Sequence, residues 1–191
     1  WDYYFIESKA EPKYILTDQK IKFTIKENGE IVKSSLTNVR YSTLTITKKN
    51  LTGTEAVPGA KIEIYKVIDD ETEELFYKGI TDEEGKLYVD ELPQGDYYFV
   101  EIEAPEGYKI NEDKHLFTVS ADGVNYEDSF SNEKYSTVKF YKHDFSDESI
   151  LLAGAKICVY TEEGKLVGCE VTNEEGFAAI KLPIGSYYYV E

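Results

Sequence analysis

Three polar residues, Lys48, Glu101 and Asn132, each continue an alternating run of aliphatic or aromatic residues. If those runs are strands whose apolar faces point inward, the fold buries an amine, a carboxyl group and a carboxamide. Removal from water favours the neutral amine, and a neutral Lys48 is a nucleophile. Glu101 could hydrogen-bond to the side-chain carbonyl of Asn132 and pass protons to the departing ammonia. The product would be a Lys–Asn amide made by the fold itself, which supplies proximity and a dry site.

A simpler interpretation places the three residues at strand ends, exposed or in an ordinary salt bridge. The recurrence of the set argues against that interpretation. Residues 1–50 align without a gap on residues 95–144 at a constant offset of 94 (101 − 7), and a fixed period of this kind defines a structural unit. Glu7 and Glu191 are equivalent to Glu101, Asn38 is equivalent to Asn132, and Lys142 is equivalent to Lys48.

The repeat divides the chain into one complete unit and two partial ones. Residues 1–40 align with the C-terminal half of a unit, residues 41–134 form a complete unit, and residues 135–191 align with the N-terminal part of a third. In the complete unit, period-two runs alternate with turns that contain Gly or Pro. They predict seven strands, near residues 43–49, 60–67, 74–81, 86–91, 96–103, 114–120 and 125–132. Short strands at this spacing predict an all-β fold of tandem seven-stranded sandwiches.

The composition argues against several classes of function. A net charge of −16 disfavours a nucleic-acid partner, because phosphate binding needs clustered Lys and Arg. No apolar run approaches membrane-spanning length. The two histidines, His115 and His143, are far apart in the sequence and are predicted to lie on the surface, so we expect no metal site and no cofactor. A turnover enzyme with paired carboxylates is disfavoured, because no nucleophile elbow or phosphate loop accompanies them.

Both cysteines of the chain fall in the third unit, on either side of a predicted hairpin turn. With Glu163 and Gly164 as a two-residue loop, Cys158 lies directly opposite Cys169. The pair could form a cross-strand disulfide, which an extracellular setting permits. By this count the pair occupies a hydrogen-bonded position of the ladder, where disulfide geometry is less comfortable, and two free thiols are the alternative.

The complete unit also carries a specific succession of motifs, at residues 46–50, 52–53, 57–65, 81–86, 92–98 and 101–108. The last of these reads Glu-Ile-Glu-Ala-Pro-Glu-Gly-Tyr. Together they resemble the CnaB-type (SpaA-like) domains of Gram-positive surface adhesins and pilins, over the whole of the middle unit. Two departures stand out: Asn50 occupies a position where the family usually has Asp, and the first unit has Lys13 in place of the glycine of the last motif.

This resemblance implies a Greek-key sandwich of the Ig-like or prealbumin-like type. It also implies a bond between a lysine of the first strand and an asparagine of the last, assisted by a glutamate. Carried over, these are Lys48, Asn132 and Glu101, with Lys142, Asn38, Glu7 and Glu191 at the equivalent positions of the partial units. Glu101, Glu7 and Glu191 would be the catalytic residues of a reaction that happens once per site.

The expected function is a structural stalk or pilus shaft outside a Gram-positive cell, at the cell wall or in a pilus. Its partners would be neighbouring repeats of the same protein. One alternative is an adhesive module that binds a host protein or glycan. Another is complementation of the two partial units between chains, head to tail, with Lys142 of one copy joined to Asn38 of the next in a covalent filament. The simpler expectation is that the sequence is cut from a longer array, in which neighbouring chain completes each partial unit.

Overall fold

A computed structural model describes residues 2–191, and these residues form β-strands without any helix. The all-β prediction is therefore confirmed. No helix long and apolar enough to cross a membrane occurs in this part of the chain. The strands are β1 (Asp2–Phe5), β2 (Ile21–Thr24), β3 (Ser42–Asn50), β4 (Lys61–Val67), β5 (Glu73–Ile80), β6 (Lys86–Leu92), β7 (Gly95–Glu103), β8 (His115–Val119), β9 (Asn125–Asn132), β10 (Ser136–Tyr141), β11 (Lys156–Thr161), β12 (Leu166–Val171), β13 (Phe177–Leu182) and β14 (Tyr187–Val190).

The middle unit is a sandwich of two sheets, built from β3 to β9. One sheet has three strands in the order β6-β3-β9, and the other has four in the order β5-β4-β7-β8. The burial of β3 alternates along the strand, because successive side chains point to opposite faces and one face meets the other sheet. All seven strands predicted for this unit are present, with ends that differ by a residue or so.

Parallel pairing of the first and last strands of the unit, β3 and β9, determines how the chain passes through it. The chain enters at the start of β3 and leaves at the end of β9, so the entry and exit points lie at opposite ends of the sandwich. In this register Lys48 faces Phe130 and Asn50 faces Asn132. Lys48 and Asn132 are therefore diagonal neighbours on the same face of the sheet.

The core between the two sheets combines aliphatic and aromatic side chains from both of them. Removing one such side chain from water stabilises the fold by about 1.5–3 kcal/mol. The buried residues of this core are Leu44, Ile46, Ile62, Ile64, Leu87, Val89, Leu92, Tyr97, Phe99, Val119 and Phe130. They supply the dry surroundings in which any polar group must find a partner.

His115 packs against aromatic rings of this core rather than lying on the surface. Its ring stacks on Phe99 at 4.7 Å between centroids and contacts Phe130 at 5.0 Å, and its buried Nε2 has no hydrogen-bond partner. The prediction of a surface residue is therefore wrong for His115, because its place in β8 points inward. His143 is exposed. No group of three or more His, Cys, Asp or Glu suited to a metal ion occurs within residues 2–191.

The partial units form smaller sheets. In the first, β1 pairs with β2, and residues 31–38, which align with β9, form no strand. In the third, β10 pairs with β13, while β12, β11 and β14 form a separate sheet. The order β12-β11-β14 repeats the order β5-β4-β7 of the middle unit.

Candidate functional site

Lys48 is fully buried near the end of β3, where the alternation of the strand carries it inward beside Ile46. Its backbone is held on both sides: the Lys48 N–H donates to Gly85 O at 2.7 Å, and the Val57 N–H donates to Lys48 O at 3.0 Å. Gly85 has a φ of +72°, and a Cβ there would lie 2.4 Å from Lys48 O. The turn that anchors Lys48 therefore requires glycine.

The side chains of Lys48, Glu101 and Asn132 meet in the core, each at most 2% exposed. The Asn132 Nδ2 donates to both oxygens of Glu101, at 2.9 Å each. The Lys48 Nζ makes a short contact with Asn132 Oδ1 and lies 3.4 Å from Glu101 Oε1. Asn132 and Lys48 come from neighbouring strands of one sheet, and Glu101 reaches them from β7 of the other.

The electrostatics of this buried cluster favour a reactive amine. Burial lowers the pKa of Lys48 from 10.5 to about 8, against the opposing effects of the charge and the hydrogen bond of Glu101. The Nζ also lies 3.3 Å from the centroid of the Phe130 ring, a cation–π contact that favours the charged form. Because burial nevertheless holds the pKa at about 8, part of the Lys48 population is neutral at pH values just above 7.

The orientation of the Asn132 carboxamide differs from the expected one. Its nitrogen, rather than its oxygen, faces Glu101, and its oxygen faces Lys48. Oε1 of Glu101 is thus close to both the attacking nitrogen and the nitrogen that would leave. One carboxylate oxygen in that position can accept a proton from the first and give it to the second.

The equivalent residues of the partial units lie in two incomplete sites. In the first unit, the Asn38 Nδ2 donates to Glu7 Oε2 at 2.6 Å, with both residues half-buried. In the third unit, the Lys142 Nζ lies 2.5 Å from Glu191 Oε2, with Glu191 exposed. Within residues 2–191 no hydrogen bond or ion pair joins Lys142 to Asn38. One site therefore has the carboxyl and the amide, and the other has the carboxyl and the amine.

Cys158 and Cys169 are joined by a disulfide in the structure, across the β11–β12 hairpin. The loop of this hairpin is one residue longer than predicted. The Thr161 N–H donates to Lys165 O, which leaves a three-residue loop, and a register shift between Val159 and Tyr160 then restores the facing of the two cysteines. Their Cα atoms are 4.0 Å apart, the spacing of a non-hydrogen-bonded pair rather than a hydrogen-bonded one.

The tyrosines on the outer face of the four-stranded sheet pack against one another rather than forming an open platform. Tyr65 and Tyr98 stack at 5.1 Å, Lys114 lies 4.0 Å over the Tyr98 ring, and the Tyr98 hydroxyl donates to Glu73. Because Tyr98 is only 4% exposed, its ring offers little surface to a sugar. Tyr160 and Tyr188 stack in the same way in the third unit.

The turn that follows the site glutamate keeps its shape in the first unit although its glycine is absent. Gly107 of the middle unit has a φ of +89°, and Lys13 at the equivalent position has a φ of +72°. The Tyr135 N–H donates to Gly107 O at 2.8 Å, and the Tyr41 N–H donates to Lys13 O at 2.9 Å. The same backbone bond thus closes both turns, at the cost of a left-handed lysine in one of them.

Two sheets around a buried Lys–Glu–Asn contact define a prealbumin-like β-sandwich domain, and comparison with known proteins assigns its family. Residues 42–134 match the sequence model of the family described as SpaA, a prealbumin-like fold domain. The middle unit is therefore a SpaA-type prealbumin-like domain. No curated protein gives a significant sequence match.

Two solved structures are similar over nearly the whole chain. The Bacillus anthracis TIE protein is 33% identical over 99% of this chain, with a TM-score of 0.54. A Streptococcal ancillary pilin is 17% identical over 98% of this chain, with a TM-score of 0.52, which shows a shared fold. The chain spans 36% of the length of the first and 65% of the length of the second.

Proposed function

We propose that this chain is a stalk or pilus-shaft segment of a Gram-positive cell-surface protein, stabilised by an isopeptide bond between Lys48 and Asn132. The buried contact of Lys48 with Asn132 and Glu101 carries the proposal. The likeness to an ancillary pilin supports an extracellular, structural role. The partners of such a segment are neighbouring repeats of the same protein.

The reaction joins the Lys48 Nζ to the Asn132 Cγ and breaks the bond between Cγ and Nδ2. Glu101 takes one proton from the Lys48 ammonium, and the neutral amine attacks the carboxamide. Protonated Glu101 gives that proton to the Nδ2 nitrogen, which leaves as ammonia. Glu101 then takes a second proton from the former Lys48 nitrogen and passes it to the ammonia. Overall, an ammonium and a carboxamide become a secondary amide and an ammonium ion, and Glu101 returns to its starting form. Because the product is permanent, the domain reacts once and is not a turnover enzyme.

The position of the bond suits a protein that carries tension. Tension enters at the start of β3 and leaves at the end of β9, and the bond would connect these two strands directly. The stretch of chain from Lys48 to Asn132, which are 84 positions apart, would then be bypassed. Without the bond, the same pull loads the hydrogen bonds between β3 and β9 in shear until the domain unfolds.

The junctions between units also favour an extended, inflexible array. The Lys109 N–H donates to Glu133 O at 2.8 Å after the middle unit, and the Ile15 N–H donates to Val39 O at 2.8 Å after the first. Each connection is therefore bonded to its own unit by the same backbone pairing, together with the Tyr41 and Tyr135 bonds described above. Linkers held in this way leave little freedom for bending.

Pulling single molecules by their ends tests this proposal. If the bond forms, the middle domain cannot extend between Lys48 and Asn132. Lys48→Met should introduce an unfolding step of about 280–300 Å, the extended length of a chain whose ends are 84 positions apart. A step of that length in the unmodified protein would contradict the proposal.

A second candidate function is covalent joining between chains, because the two incomplete sites are complementary. Asn38 is already bonded to Glu7, and Lys142 is already paired with Glu191. A neighbouring repeat or a second copy of this chain could supply the missing residue to each. Denaturing gels test the second possibility: a ladder of multimers that Lys142→Ala abolishes supports it, and a single monomer band counts against it.

A further inference from the structure

Asn111 contacts two of the elements that build the Lys48 site. Its backbone N–H donates to Glu101 Oε2 at 2.8 Å. Its side-chain Nδ2 donates to Ser131 O at 3.1 Å, next to Asn132 in β9. Its side-chain Oδ1 accepts the N–H of Asp113 at 3.0 Å, which closes a small turn around the donor. One residue therefore connects the carboxylate of β7 to the strand that carries the reacting amide.

The same arrangement occurs in the first unit with a different residue. The Thr17 N–H donates to Glu7 Oε2 at 3.1 Å, and the Thr17 hydroxyl accepts the N–H of Gln19 at 3.3 Å. Thr17 aligns with Asn111 at the offset of 94 that also aligns Glu7 with Glu101. Two independent units thus aim a backbone N–H at the same carboxylate oxygen, and in both a side-chain oxygen of the donor residue holds the turn.

We propose that Asn111 is a positioning residue for isopeptide formation, which presents its backbone N–H to Oε2 and leaves Oε1 of Glu101 to move the proton. This inference rests on the proposed bond between Lys48 and Asn132. The two oxygens of Glu101 have different surroundings: Oε2 accepts from Asn111 and Asn132, whereas Oε1 accepts from Asn132 and lies 3.4 Å from Lys48 Nζ. With Oε2 held, the carboxylate cannot rotate Oε1 away from the amine.

The side chain of Asn111 adds a link to folding. Its bond to Ser131 O forms only when the loop before β8 has docked on β9. Glu101 is therefore oriented at the same step that places Asn132 beside it. The amide reaction should follow the docking of this loop rather than precede it.

Timed mass measurements on newly made protein test the role of Asn111. The full chain is synthesised in a cell-free system, samples are quenched in acidic denaturant, and intact mass gives the fraction that has lost ammonia. Asn111→Ala keeps the N–H but loses the turn and the Ser131 bond, and it should slow the reaction about tenfold. Asn111→Pro removes the N–H itself and should slow it by about tenfold to a hundredfold. Asn111→Thr, the residue of the first unit, keeps the turn and should react within about threefold of the unmodified chain.

The same three substitutions in a Lys48→Met background, which cannot react, separate positioning from general stability. A purely structural role predicts rates that follow the melting temperatures of those controls, and that result would overturn the proposal. A folded Asn111→Pro variant that reacts at the unmodified rate would also overturn it. If Asn111→Pro does not fold, equal rates for the Asn111→Ala and Asn111→Thr variants would overturn the proposal instead. Absence of any mass loss in the unmodified chain refutes the isopeptide bond itself, a distinguishable result.

Discussion

Lys48→Met should remove the isopeptide bond while leaving the sandwich folded. Methionine has a similar length, and its thioether can pack on the Phe130 ring that the Lys48 amine now contacts. Glu101 keeps its hydrogen bonds from Asn132 and from the backbone of Asn111, so its carboxylate is not left without donors. The main loss is therefore the covalent constraint on the unfolded chain.

The size of that loss follows from the length of the closed loop. Lys48 and Asn132 are 84 residues apart, and the chain-entropy relation used for disulfides gives about 4–5 kcal/mol for such a loop. In a domain of this size the change corresponds to a fall in melting temperature of about 20–35 °C. Calorimetry of the middle-domain transition measures it.

Lys49→Met is the matched control for this experiment. Lys49 is the next residue of β3, points to the exposed face and takes no part in the buried contact. Its substitution should change the melting temperature by a few degrees at most. If Lys48→Met also melts within about 5 °C of the unmodified protein, although intact mass shows the bond in the latter, the loop-entropy reasoning is refuted.

Three further results are expected. The rate of isopeptide formation in timed mass measurements should increase with pH and level off above about pH 8. The reason is that burial lowers the pKa of Lys48 to about 8 and only the neutral amine attacks. A rate independent of pH would contradict this. Thiol titration of the native chain should find no free sulfhydryl before reduction and two after it, since Cys158 and Cys169 are joined; two free thiols in the native protein would refute the disulfide. Reduction should lower the free energy of unfolding of the third unit by about 3 kcal/mol, because the two cysteines are 11 residues apart. Gly107→Ala should destabilise the middle unit by about 1–2 kcal/mol because of the positive φ alone, since a Cβ added there meets no atom within 4 Å. Lys13→Gly should be neutral or slightly stabilising. A larger loss of stability for Lys13→Gly than for Gly107→Ala in thermal melts would contradict this.

The alternation of apolar residues was sufficient to predict the strands of the middle unit, but by itself it left Lys48 open to an exposed place at a strand end. Strand periodicity depends only on the chain's own geometry, and the hydrophobic core enforces it. The repeat predicted which residues would accompany Lys48, because equivalent positions of the units carry the same residue types.

Other features of the site left no signal in the residue types. The donor at Asn111 is a backbone N–H, which every residue other than proline has. Its role became visible only because the structure shows the same contact from Thr17 in the first unit. The inward place of His115 follows from its pairing with Phe99 across β7 and β8, a register that a short five-residue strand does not define. The three-residue loop before Lys165 depends on Gly164 at a φ of +84°, which a two-residue turn would also accommodate.

Intact mass of the purified chain, after reduction of the disulfide, tests the central claim most directly. We expect a mass lower by one ammonia than the mass calculated from the sequence, and a single branched peptide in which Lys48 is joined to Asn132. Glu101→Gln should restore the full mass, because the proton transfer between the two nitrogens loses its carboxylate. An unmodified chain with the full mass of its sequence would contradict the account.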